Sequence, residues 1–286
     1  MSQDHLTEPR VDCTAGPDGR IEFAVTAPPS APQARLLLRL RPAKGLPERT
    51  VRLLDLEPGP DGRPRAVLEP SPVLEDGRWD VYLVPGPDAG RQRLRHGLRD
   101  LRALVDGHTR DRRAPVAVRV PYATTDGHLC IRAWLRDAHA EAGRIEVTER
   151  STRVEARLHG ATLAEGAAVV LRLRGGSRAE RTLEPRCEAD GRGFSFVVDH
   201  TAVADERGTW DVFVRPAAHG PRVRVARLLD DVAGRKDVFV YPAVPAGTAT
   251  VRPCYTGDND LALTVTAPDV AQVTGSRPGV ADSPQS

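Results

Sequence analysis

The residues that could do chemistry are scattered along the chain. Of eight histidines, only His128 stands near an acid at a turn, in Asp126-Gly127-His128. A general base needs a nucleophile or carboxylate within hydrogen-bond reach and a cleft that keeps water out. Nothing in the surrounding pattern supplies either. At the matching place later in the chain stands Asp258-Asn259-Asp260, half of a calcium loop that lacks the onward spacing to a bidentate glutamate, so a polar turn is expected there. Ser195 lies between Phe194 and Phe196, without the Gly-x-Ser-x-Gly elbow that lifts a nucleophilic hydroxyl out of a strand. Cys13, Cys130, Cys187 and Cys254 are far apart and form no Cys-x-x-Cys pair, so they offer zinc no tetrahedral set. No Walker loop or Gly-x-Gly-x-x-Gly is available to cradle phosphates. The residues assign no catalytic group, no metal and no cofactor, and they compel no enzyme.

Arginine carries most of the remaining polar chemistry. Among 41 basic residues only Lys44 and Lys236 are lysine, and 39 acidic residues leave a net charge of +2. Arginine is therefore the default cation here, as codon usage in a GC-rich genome would make it, and an Arg run reads first as a solvated face. Arg91, Arg93 and Arg95 nevertheless concentrate charge in one stretch, and Arg222 and Arg224 do so further on. These five residues could meet an anionic glycan polymer or an acidic protein surface. A nucleic-acid partner is not expected, because no aromatics are interleaved to stack on bases. Trp134 is a plug between domains or an exposed aromatic that binds; its position has no tryptophan counterpart later in the chain.

The elements that would position these groups are strands, and they recur. Arg10 to Thr14 matches Arg144 to Thr148, Ala34 to Arg41 matches Ala167 to Arg174, Asp76 to Val84 matches Arg207 to Val214, and the stretch from Pro121-Tyr122 matches that from Cys254-Tyr255. The order is kept at separations of 131 to 134 residues, which points to an internal duplication. Within each copy Leu36, Leu38 and Leu40 alternate with Arg39 and Arg41, and Val169, Leu171 and Leu173 with Arg172 and Arg174, the period of a half-buried strand. Trp79 and Trp210 fall on the inward set of their own strands and are read as core residues. Arg39 with Asp80, and Arg172 with Asp211, would face one another if their strands are neighbours. Leu94 to Val105 resists assignment, since helical spacing of Leu94, Leu98, Leu101 and Val105 competes with a strand-like alternation of arginines.

Short strands broken by Gly, Asp and Pro turns predict an all-β protein of two tandem immunoglobulin-like sandwiches. A length of 286 residues suits two cores, and 40% hydrophobic with 28% charged residues suits a globular chain with no membrane span. The expected division is residues 9–136 and 143–267, with a linker at 137–142 and disordered ends at 1–8 and 268–286. The polar start, without an apolar signal core, predicts a cytoplasmic location with reduced thiols.

Gly77-Arg78-Trp79-Asp80-Val81-Tyr82 and Gly208-Thr209-Trp210-Asp211-Val212-Phe213, each followed by an Arg-rich strand, give the chain a resemblance to a known family. It resembles the immunoglobulin-like accessory domains of actinobacterial glycosyltransferases and glycerophosphotransferases of cell-wall polymer synthesis, including wall teichoic acid glycosyltransferases. The resemblance implies a non-catalytic accessory or interaction module with a wall-polymer transferase as protein partner. A glycan-binding protein and a divergent glycosyl- or glycerophosphotransferase stay open as alternatives, as does homo-oligomerisation.

Overall fold

A computed structural model of the chain describes residues 8–26, 33–48, 51–86, 90–175 and 179–268. The ends expected to be disordered, apart from residues 8 and 268, lie outside the described residues. The first half contains β1 (Arg10–Ala15), β2 (Ile21–Val25), β3 (Arg35–Leu40), β4 (Val51–Asp55), β5 (Glu57–Pro58), β6 (Pro64–Leu68), β7 (Gly77–Val84), β8 (Gln92–Arg93), β9 (Arg95–Asp100), β10 (Val116–Ala123) and β11 (Leu129–Arg136). The second contains β12 (His139–Val147), β13 (Ser151–His159), β14 (Ala168–Leu173), β15 (Glu180–Leu183), β16 (Arg186–Cys187), β17 (Gly193–Asp199), β18 (Gly208–Arg215), β19 (Val223–Ala226), β20 (Val244–Ala246), β21 (Ala249–Tyr255) and β22 (Leu261–Thr266). Among the described residues helix is confined to single turns at Arg102–Val105, Gly107–Thr109 and Thr201–Ala204. The chain is all-β.

Sheet order runs β5-β6-β2-β1-β9 and β10-β11-β7-β3-β4 in the first half. In the second, β16-β17-β13-β12-β19 continues through β18-β22-β21-β20, with β14 on β18 and β15 on β14. The partners correspond: β1 meets β9, and β12 meets β19, as parallel pairs. β7 lies antiparallel to β3 and β11, as β18 does to β14 and β22.

Leu94 to Val105 is strand over Arg95–Asp100 and a helical turn over Arg102–Val105. β8 pairs with β7 and β9 with β1, so the chain changes sheets at Leu94. The helical spacing does not mark one buried stripe, because Leu94 is buried while Leu98 is 79% exposed; only Arg102–Val105 turns helical. β19 makes the same change without a break, pairing with β18 through Val223 and Arg224 and with β12 through Val225 and Ala226.

Each half has its own apolar core, one around Trp79, Leu36, Leu38 and Ile131, the other around Trp210, Val169, Leu171 and Leu263. A third cluster joins them: Val116, Val118, Val120 and Trp134 from β10 and β11 pack on Ala226, Leu228 and Leu229. The residues expected as a linker, 137–142, instead run into β12, whose His139 to Ala142 are buried and paired with β13. Those strand hydrogen bonds satisfy the backbone polar groups that burial cuts off from water.

Candidate functional site

The recurring Gly-x-Trp-Asp-Val-aromatic stretch is positioned residue by residue. Gly77 (φ 148°) and Gly208 (φ 139°) lie where a Cβ would press on the side-chain tips of Leu40 and Leu173, so a side chain there would strain the backbone and displace that leucine. Two residues on, Trp79 is 1% and Trp210 0% exposed. Each indole N–H is satisfied by a carbonyl four residues back, Glu75 O at 3.0 Å and Glu206 O at 3.2 Å. Burial of the ring and satisfaction of its polar edge make each tryptophan a core anchor. The outward aromatics lie under guanidiniums, Tyr82 under Arg91 at 5.1 Å and Phe213 under Arg224 at 4.8 Å.

Asp80 and Asp211 are buried one strand away from two arginines each. Register places Asp80 opposite Arg39 and Asp211 opposite Arg172, as strand neighbours should be. The charges nevertheless pair elsewhere: Arg41 grips Asp80 through Nη2 at 2.6 Å and Nε at 2.9 Å, and Arg174 grips Asp211 at 2.6 and 2.9 Å. Arg39 turns instead to Glu48 at 2.7 Å. The diagonal i+2 neighbour on a twisted ladder lies within reach of so long a side chain. Burial alone would raise the Asp80 carboxyl; hydrogen bonds from Arg41 and Cys130 and the charges of Arg41 and Arg93 outweigh it and hold the group below its ordinary range. The Cys130 thiol donates to Asp80 Oδ1 at 2.9 Å and is pushed up to about 12, first by burial and then by that bond. It stays protonated and is no nucleophile at neutral pH.

The arginines expected to face a polymer are held by carboxylates of the chain itself. Arg91 forms a fork on Glu48 at 2.7 and 3.0 Å, and Arg222 forms one on Glu180 at 2.5 and 2.9 Å. Arg93 lies 3.3 Å from Asp80 and 2.8 Å from Asp126; Arg224 lies 3.2 Å from Asp211 and 3.4 Å from Asp260. Arg95 reaches Glu8 at 2.5 Å and the Asp126 carbonyl. They form no open cationic patch. His128 Nδ1 lies 3.1 Å from Asp126 Oδ2, but that carboxylate is already held by Arg93 and Thr124. Ser195 sits within β17.

Trp134 is 1% exposed in the cluster between the halves, so its ring offers no binding platform. Its N–H reaches the Asp258 carbonyl at 3.3 Å, and Arg132, stacked over it at 4.7 Å, binds Asp258 at 2.9 Å and Asp76 at 3.3 Å. Asp258-Asn259-Asp260 is thus a latch rather than a bare turn. Asn259, the chain's single asparagine, takes φ 61° and is fully buried; its Oδ1 accepts from the Arg235 amide at 2.9 Å and its Nδ2 donates to Val232 O at 3.0 Å. Asparagine tolerates that left-handed backbone better than most residues. Beside the latch, the Glu141 carboxylate receives the amides of Leu228 at 2.8 Å and Leu229 at 3.1 Å and meets His139 Nε2 at 2.7 Å. Sequence reading missed Glu141 and the buried Arg119, and took Asn259 only as part of a polar turn. Only the single asparagine carried a compositional signal.

Among the described residues no group of three or more His, Cys, Asp or Glu is placed to hold a metal ion. No helix of the structure is long and apolar enough to cross a membrane. No protein-family model matches the chain, and no curated protein matches it. Among solved structures it is similar to S. aureus TarS, with 12% identity and a TM-score of 0.38 over 59% of this chain and 31% of that one. TarS 217-571 gives 12% identity and a TM-score of 0.37 over 67% of this chain and 45% of that one. A tetra-tandem repeat in the extending region of a large adhesion protein gives 12% identity and a TM-score of 0.20 over 91% and 66%. The chain spans less than half the length of the TarS chains it matches.

Proposed function

We propose that this chain is a non-catalytic interaction module, two immunoglobulin-like sandwiches derived by duplication, that accompanies a cell-envelope polymer transferase in the cytoplasm. The two units divide between β11, which ends at Arg136, and β12, which begins at His139. One observation carries the reading: the polar side chains best suited to chemistry are closed on one another in the same way in both halves. Arg41, Arg93 and Asp80 answer to Arg174, Arg224 and Asp211, and Arg91 with Glu48 answers to Arg222 with Glu180. An enzyme keeps acids and bases poised for substrate; here guanidinium forks hold the carboxylates as structural ions. The glycan-binding alternative wants exposed rings, and all three tryptophans are buried. The class of partner comes from the resemblance of the two Trp-Asp-Val stretches to accessory domains of wall-polymer transferases. The test incubates the purified chain with the wall-polymer transferases of its own genome and with nucleotide sugars and CDP-glycerol. A stable complex without turnover by the chain alone is expected, and turnover lost on replacing Asp80 or Asp211 would overturn the reading.

A further inference from the structure

Three arginines of the structure are buried among the described residues: Arg119, Arg132 and Arg235. Arg132 has Asp76 and Asp258, and Arg235 has Asp230. Arg119, 9% exposed, has no carboxylate in ion-pair reach; its guanidinium donates only to the backbone carbonyls of Glu69, at 2.7 Å, and Gly19. A buried cation that no carboxylate bonds is costly. Burial brings Arg119 down to about 10, against the partly offsetting charges of Asp18 and Glu69.

A second guanidinium faces the same space. Arg112 makes no ion pair, its Nε is buried without a partner, and burial followed by repulsion from Arg110 lowers its affinity for a proton. Arg110 itself reaches only the Pro17 carbonyl, at 3.2 Å. Arg112 and Arg119 line one cleft of about 110 Å³, closed by Pro17, Gly19, Gly107 and Leu229 where the two halves meet. Two carboxylates also line it. Asp230 is taken up by Arg227 and Arg235, and Asp18 accepts the Arg20 amide at 3.0 Å. The space is ample for one tetrahedral anion with its waters.

We propose that this cleft binds a small oxyanion of the phosphate class, held by Arg112 and Arg119. Guanidiniums suit such an anion because their planar donors match its oxygens in pairs. The site does not depend on the chain's accompanying a transferase.

The test is thermal unfolding of the full chain titrated with inorganic phosphate or with glycerol 3-phosphate, with chloride holding ionic strength constant. A ligand that binds only the folded state raises the midpoint in a saturable way, and that rise is expected for the native chain and lost in Arg112→Met. Arg119→Met also removes contacts that tie down two turns, so Arg119→Lys is the second variant. It keeps the charge and loses the fork, and should weaken binding by about tenfold or more. A stronger effect of the ester identifies the terminal phosphate of a larger molecule; an effect of inorganic phosphate alone identifies the free ion. No saturable shift with either, or an equal shift in Arg112→Met, overturns the proposal.

Discussion

Arg41 meets Asp80 diagonally, at 2.6 Å, across the ladder that sets Arg39 directly opposite that carboxylate. Arg174 meets Asp211 in the same way at 2.6 Å, past Arg172. Ladder position and charge partner are therefore separate facts in each half. Arg41→Met should cost about 1–3 kcal/mol, because it takes a fork of charge-assisted bonds from a buried carboxylate. Arg39→Met removes a partly exposed pair with Glu48 and a hydrogen bond to the Tyr82 hydroxyl at 2.9 Å, and should cost about 1 kcal/mol. Urea unfolding of both variants checks the order, and an equal or larger loss for Arg39→Met would contradict it.

Trp79→Ala and Trp210→Ala should each lose about 3–5 kcal/mol, the cost of a large core cavity. Each also frees a carbonyl, of Glu75 or Glu206, that the indole now satisfies. Denaturant midpoints are the measurement. Unchanged midpoints in both variants would place the rings outside the cores.

The junction makes a more local prediction. Trp134→Ala should raise amide exchange across Ala226 to Leu229, its packing partners, while exchange around Trp79 and Trp210 changes little. Asn259→Ala loses two buried hydrogen bonds and puts alanine at φ 61°, so it should cost about 1–3 kcal/mol and open the same segment. Exchange mass spectrometry distinguishes this from uniform loosening of the whole chain.

His159 predicts a pH dependence. Burial first, then the neighbouring His139, bring its imidazole down to about 4, against an opposing pull from Glu141. From the ordinary histidine value near 6.5 down to about 4, the unfolded chain binds a proton that the folded chain resists. Stability should therefore decrease as pH is lowered across that window, by on the order of 2–3 kcal/mol from this residue. His159→Asn should flatten that part of the profile, and wild-type and variant curves of equal slope would contradict it. Asp80 has the depressed-carboxylate sign: its contribution is present above the ordinary carboxylate range and is lost as pH falls through its lowered value.

Much of the strand framework was legible because alternation and burial share one cause. Leu36 and Leu38, and Val169, Leu171 and Leu173, are buried where period two put them, and both core tryptophans lie on the inward faces. The sheet change at Leu94 was obscured because Leu98 and Val105, though at helical spacing, face water. The candidate site was less legible. In a chain whose default cation is arginine, Arg93 and Arg119 look alike, and they differ only in the carboxylates that folding brings near. Trp134 needed the second half in place before plug could be told from platform.

The most direct test of the module reading is the mass of the complex formed when the purified chain is mixed with a wall-polymer transferase of its own genome, read by size-exclusion chromatography with light scattering. The account predicts a complex of defined stoichiometry, with no product formed by the chain alone. A chain that elutes at its own mass with every such transferase, while turning over a nucleotide sugar or CDP-glycerol unaided, would contradict it.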